Sequence, residues 1–181
     1  MLSIKPWGRA LSAVLLVCLP TGQLWAQDKP VTSPEVSLSR MIHGILNYTR
    51  WSIPNPIHLC VVDSPQYVQA LQLIQTESRN QVQVLAKSAK EPDLTQQCHV
   101  LFFVHTPPEQ QQAILNQRGV HQILSLSLNN TDCVVGSSFC LTMRQGVPSF
   151  SVNLDSLKQS GIRISSNVLM LAKPHQSRED E

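Results

Sequence analysis

Several features that mark an enzyme, a membrane-spanning protein or a nucleic-acid binder are missing from this sequence. It has no H-E-x-x-H, no G-x-S-x-G and no Walker A loop, the short signatures of zinc hydrolysis, serine hydrolysis and phosphate binding. It has no C-x-x-C pair and no metal-spaced histidine pair, so zinc is a poor match for its cysteines. The leading apolar run, Ala10 to Leu19, is broken by Pro20 and falls well short of the about 20 residues that span a bilayer. No internal repeat and no interdomain linker interrupts the rest.

Charge of one sign is missing as well. The chain carries 14 Lys+Arg and 12 Asp+Glu, a formal charge of +2. Two of the basic residues, Lys5 and Arg9, stand ahead of the apolar run and form the positive start of an export signal. Leu24-Trp-Ala26 then offers a small residue for cleavage between Ala26 and Gln27. A lipoprotein site at Cys18 is disfavoured because Val17 before it is too large. Cleavage removes both charges, leaving 12 basic against 12 acidic residues. The mature chain is near neutral, so nothing in its charge suggests a nucleic-acid surface or an anionic-membrane patch. About 155 residues then remain, enough for one domain with its own core.

Export gives the cysteines their meaning. Cys18 leaves with the signal; Cys60, Cys98, Cys133 and Cys140 stay. An even number in an oxidising compartment predicts two disulfides, with three possible connectivities. Pairing Cys60 with Cys98 and Cys133 with Cys140 keeps both bridges local.

The mature chain reads as alternating strands and helices. Residues 27–34 form a polar leader. Ser33-Pro34-Glu35 gives a cap, a proline at the first helical position and an early acid. Leu38, Met41, Ile42, Ile45 and Leu46 then repeat at spacings of three and four, predicting a helix to about Thr49 with a buried stripe. Trp51, just beyond, is expected to plug that helix against the sheet. Ile57–Val62 is a strand, and Pro65 opens a helix carrying Tyr67, Val68, Leu71 and Ile74. Val82–Leu85 and Cys98–Val104 are further strands. Pro107-Pro108-Glu109 opens a helix that stops at Gly119, and Ile123–Leu126 is a fourth strand. This alternation predicts an α/β fold, a three-layer α/β/α sandwich on a mostly parallel sheet, stapled by two disulfides. Two strands after Asn129, Leu141–Gln145 and Pro148–Asn153 around Gly146, are expected as antiparallel additions. Asn153 or Asp155 caps a short helix that Gly161 ends, and a last apolar turn follows Ser165-Ser166. The domain is expected over residues 35–174, with residues 175–181 a charged, disordered tail.

The end of the chain also carries a resemblance. Phe150-Ser-Val-Asn-Leu154, a short helix, Ser160-Gly-Ile-Arg-Ile-Ser-Ser166 and Leu169-Met-Leu-Ala172 resemble the C-terminal signature of the YfiR family. Upstream, Tyr48-Thr-Arg-Trp51, Ile57-His-Leu-Cys-Val-Val62 and Cys98-His-Val-Leu-Phe-Phe103 fall in that family's order, so the likeness runs from about Val36 to Pro174. It implies a periplasmic repressor, not an enzyme, that docks on the periplasmic sensor domain of an inner-membrane diguanylate cyclase and lowers cyclic di-GMP synthesis. It implies relief by an outer-membrane lipoprotein that sequesters the repressor, a homodimer, no cofactor, and the same pairing of cysteines.

Site residues are few. Of the six histidines, His43, His58, His99, His105, His121 and His175, none belongs to a metal motif. His58 and His99 lie in strands and read as surface or satisfied structural residues. A Cys98–His99 nucleophile is a poorer reading still, since neighbours on a strand point to opposite faces. His105 and Asp63-Ser64 sit at the C-terminal ends of strands, where open α/β sheets keep their ligands. They define a candidate small-ligand cleft, which a periplasmic carrier or sensor subunit would use; the bland alternative is a solvated loop. Phe139, beside the short bridge, is the candidate partner contact. A six-residue loop with Gly136, Ser137 and Ser138 cannot cover the ring itself, so it either projects as an aromatic anchor or folds onto the sheet as core.

Overall fold

The computed structural model describes residues 33–73 and 79–171. The expected signal peptide, most of the leader, Ile74, Ala172, Pro174 and the expected tail lie outside them. No helix among the described residues is long and apolar enough to cross a membrane.

Helix α1 spans Pro34–Asn47, and the Ser33 hydroxyl accepts from the Val36 N–H at 3.3 Å. Its stripe of Leu38, Ile42, Ile45 and Leu46 is buried. The helix stops two residues short of the expected end because Thr49–Arg50 becomes a short strand, β1. Trp51 donates its ring N–H to the Leu46 carbonyl at 3.2 Å and packs on the main core, as the plug predicted from its position.

The main sheet holds β2 (Ile57–Val62), β3 (Val82–Lys87), β4 (Val100–Phe103), β5 (Leu124–Leu128), β6 (Phe139–Arg144) and β7 (Val147–Val152), in the order β3-β2-β4-β5-β6-β7. Every pairing is parallel except β6 with β7. One face carries Leu59, Val61, Val100, Phe102, Leu124, Leu126, Phe139, Leu141 and Phe150 against α1 and Leu71 of α2 (Gln66–Leu73). The other carries Cys60, Val62, Leu101 and Phe103 against Leu94 of α3 (Leu94–Gln97) and Ile114 and Leu115 of α4 (Pro108–Leu115). That is the three-layer sandwich. It follows from strands apolar on both faces, which must be covered twice.

The strand β6 corrects one expectation: it enters the sheet parallel to β5, and only the β6–β7 hairpin is antiparallel. A parallel neighbour usually needs a helical crossover. Here β6 is slipped forward, with Phe139 opposite Leu126 and Leu141 opposite Leu128. The chain has to climb back by about two residues, some 7 Å, so the loop 129–138 suffices.

After β7, the Asn153 side chain accepts from the Ser156 N–H at 3.0 Å and caps α5 (Leu154–Ser160). Gly161 ends that helix in the left-handed conformation with φ 71°. Arg163–Ile164 (β8) then pairs antiparallel with β1 in a separate two-stranded sheet, and α6 (Ser166–Leu171) follows.

Both bridges form as paired from the sequence. The Cα atoms are 5.9 Å apart in Cys60–Cys98 and 5.7 Å apart in Cys133–Cys140. The first fastens β2 to the C-cap of α3, two residues ahead of β4; the second fastens the crossover loop to β6.

Candidate functional site

Parallel order places the C-terminal ends of β2, β4 and β5 along one edge. The chain runs from β2 outward to β3, then back across to β4, so the strand order reverses between β2 and β4. Open α/β sheets keep ligands at such a point. Asp63 and Ser64 follow β2, and His105 follows β4 closely.

The cleft that His105 borders is not lined by Asp63 or Ser64. Asp63, at φ 49°, donates its N–H to the Lys87 carbonyl at 2.9 Å, and its carboxylate accepts from the Ala89 N–H at 3.3 Å. Its interactions therefore turn toward β3. In the same loop the Lys87 ammonium donates to Glu91 at 2.9 Å, and with the Ser88 N–H it holds the Glu91 carboxyl below its ordinary value of 4.5. Ser64 is fully buried; its carbonyl receives the Tyr67 N–H at the start of α2, and its hydroxyl finds no partner among the described protein groups. His105 is exposed and borders a cleft of about 270 Å³ between the ends of β4 and β5, lined also by Thr106, Pro107, Gln111, Asn129 and Asn130. Neither Asp63 nor Ser64 lines it. The order β2-β4-β5 explains this, because the cleft opens on the β5 side of His105.

The far wall of that cleft is the loop 129–138, held by amides that the sequence reading passed over. Buried Gln111 on α4 accepts from the Ser137 N–H at 3.2 Å and hydroxyl at 2.8 Å, and donates to the Thr106 carbonyl at 2.7 Å. Asn130 accepts from the Cys133 N–H at 3.2 Å and donates to the Val135 carbonyl at 2.9 Å. Asn153 donates to the Val134 carbonyl at 2.8 Å. Beneath these, the Ser138 N–H donates to the Ser125 hydroxyl at 2.9 Å, and the Ser156 hydroxyl donates to the Gly136 carbonyl at 2.7 Å. Their one visible signal was the crowding of Asn, Ser and Asp around two cysteines.

Gly136 is forced at its place. Its φ is +90°, and an added Cβ would stand 2.7 Å from Gln111 Oε1 and 2.9 Å from the Pro108 carbonyl oxygen. Gly136→Ala should cost about 1–3 kcal/mol, from the left-handed backbone together with the clash. A shift of the denaturant midpoint measures it; an unchanged midpoint would mean the loop re-folds freely.

Phe139 corrects a second expectation. The ring is fully buried, 5.7 Å from the Phe150 ring, inside the core on the α1 face. It is not an exposed anchor. The loop cannot cover it, but Phe139 is the first residue of β6, and the sheet and α1 layer cover it instead. What the loop exposes is Val134 and Val135, at 64% and 41%, and the Asn153–Val134 bond sets them beside Leu154, also 64% exposed.

Two comparisons bear on this arrangement. A solved structure described as a conserved domain protein from Vibrio cholerae O1 biovar El Tor strain N16961 has a similar fold, with a TM-score of 0.54 at 12% identity. The match covers 78% of this chain and 60% of that one. The profile of the family described as YfiR/HmsC-like matches residues 38–173, which include both bridges, the amide-held loop and the cleft. The chain belongs to the YfiR/HmsC-like family.

Proposed function

We propose that this protein is a periplasmic repressor that binds the periplasmic domain of an inner-membrane diguanylate cyclase through its disulfide-closed loop. Its family is one of periplasmic, non-catalytic regulators of diguanylate cyclase signalling, and that membership carries the reading. The loop fits the role physically. The Cys133–Cys140 bridge and the Asn130, Gln111 and Asn153 bonds fix its backbone before binding. Little entropy is then left to lose when Val134, Val135 and Leu154 are covered. Relief by an outer-membrane lipoprotein follows if that protein covers the same patch, and a homodimer would present it twice.

Val134→Asp tests the patch. An exposed valine contributes little to folding, so the melting temperature should stay within about 2 °C. A charge set into a desolvated contact should weaken capture of the cyclase about tenfold or more. Unchanged capture by a folded variant would remove the loop from the interface.

The cleft beside His105 favours a second reading, a carrier or sensor subunit for a small metabolite, with Asp63 and Ser64 on the neighbouring strand end. A carrier binds its metabolite as an isolated protein; a repressor co-purifies with a membrane cyclase. Calorimetry with periplasmic extract fractions against the purified chain separates the two.

A further inference from the structure

At the opposite edge of the sheet, the N-terminal ends of β2 and β4 hold two histidines side by side. His58 and His99 lie on the face that carries Cys60 and Leu101, with ring centroids 5.0 Å apart. The His58 backbone N–H donates to His99 Nδ1 at 2.9 Å. That nitrogen must be an unprotonated acceptor, so His99 is neutral and carries its proton on Nε2. His58 Nδ1 lies 3.0 Å from the Gln97 carbonyl oxygen, which only accepts, so Nδ1 of His58 carries a proton. The two rings therefore do not offer a pair of lone pairs to a metal. Instead the His99 ring accepts a bond from the β2 backbone that exists in one protonation state.

We propose that the His58–His99 pair is an acid-sensitive latch. A proton from solvent added to His99 Nδ1 replaces the acceptor by a donor, breaks the bond from the His58 N–H and loosens the ends of β2 and β4 beside the Cys60–Cys98 bridge. The surroundings offer that proton no compensation. Opposite His58 on β3 stands the neutral Gln83, and on β5 the Leu124 N–H donates to the His99 carbonyl. Among the charged groups of the elements around the pair, Lys87 of β3 bonds Glu91 and Gln97, and Asp93 stands at the far, N-terminal end of α3. Arg118 donates to the Leu115 and Gln159 carbonyls, and His121 precedes β5. Among the described residues no carboxylate makes a salt bridge to either ring. Burial, and then the charge on His58, hold His99 below the ordinary histidine value of 6.5.

The sign follows from linkage. With the folded value below the unfolded one, the unfolded chain binds more protons between the two. Stability is therefore full above about pH 6.5 and is lost as pH falls through the lower, folded value. For a periplasmic domain this couples the fold to the acidity outside the cell. It does not depend on the partner proposed above.

The oxidised chain should be melted from pH 8 to pH 5, beside His99→Asn and His58→Asn. Asn Oδ1 takes the place of Nδ1 as acceptor but does not titrate. Wild type should lose about 3 °C or more on acidification, and His99→Asn should lose markedly less. His58→Asn, which removes the neighbouring charge, should move the loss to a different pH. Equal acid losses in wild type and His99→Asn would overturn the latch. If His99→Asn does not fold, the ring ¹⁵N shifts of the wild type decide. A neutral Nε2–H tautomer titrating below 6.5, with loss of His58 amide protection, supports the latch; a tautomer protonated at Nδ1 overturns it.

Discussion

Replacing Cys60 and Cys98 together by alanine should remove about 4 kcal/mol of stability. The bridge closes a loop of 38 residues, and the chain-entropy model gives about 4 kcal/mol for a loop of that length. Both sulfurs are also buried between β2, α3 and the start of β4, so two vacated sites add to the loss. Small domains have about 5–15 kcal/mol in all, which makes this one bridge a large share. With a urea slope near 2 kcal/mol/M, the midpoint should fall by about 2 M. Removing Cys133 and Cys140, seven positions apart in sequence, should cost about 2.5 kcal/mol on the same model. The order of the two effects is the sharper test. A larger loss from the short bridge would show that loop entropy is not what the bridges supply. In cells, a strain unable to oxidise periplasmic thiols should hold little folded protein, and under the repressor reading its cyclic di-GMP should rise.

The fold was legible wherever a residue type does one physical job. Ser33 and Pro34 start α1, Gly161 ends α5, and the apolar runs at Ile57, Val82, Cys98 and Ile123 become adjacent parallel strands. The pairing of cysteines was legible from locality and from the family resemblance, and the adjacency of β2 and β4 is what lets Cys60 meet Cys98. What was illegible is short or non-local. The two-residue strands β1 and β8 have no period to read, and α3 hides in the polar stretch after β3. The direction of β6 depends on a register slip against β5, which no residue of β6 announces. The lining of the cleft beside His105 was illegible for the same reason. Each strand end was found, but Asp63, Ser64 and His105 share a cleft only if no third strand end stands nearer. In the order β2-β4-β5, Asn129 and Asn130 at the end of β5 take that place. The histidines show the opposite case. His58 and His99 were read as structural from their strands, yet only the register, 41 residues apart in sequence, turns them into a pair.

Phe139→Ala should cost about 3–5 kcal/mol, the range for a phenylalanine truncated inside a core. The ring is fully buried at the head of β6, against Phe150 of β7 and the layer under α1. Its neighbours are held from three sides. Leu126 stands opposite on β5, Val152 opposite on β7, and Cys140 next to it is bridged to Cys133. Such walls collapse little, so most of the vacated volume should remain as a cavity and the loss should sit toward the upper end. Capture of the cyclase by the fraction that stays folded should be unchanged, because the ring reaches no surface. Val134→Asp predicts the reverse pattern, weak capture with the fold intact, although the two residues lie in the same closed loop and strand. Comparing the pair separates what the bridge does for the fold from what it does for the partner. If Phe139→Ala keeps its melting temperature and loses capture, the ring is part of the interface and the buried placement of β6 is wrong.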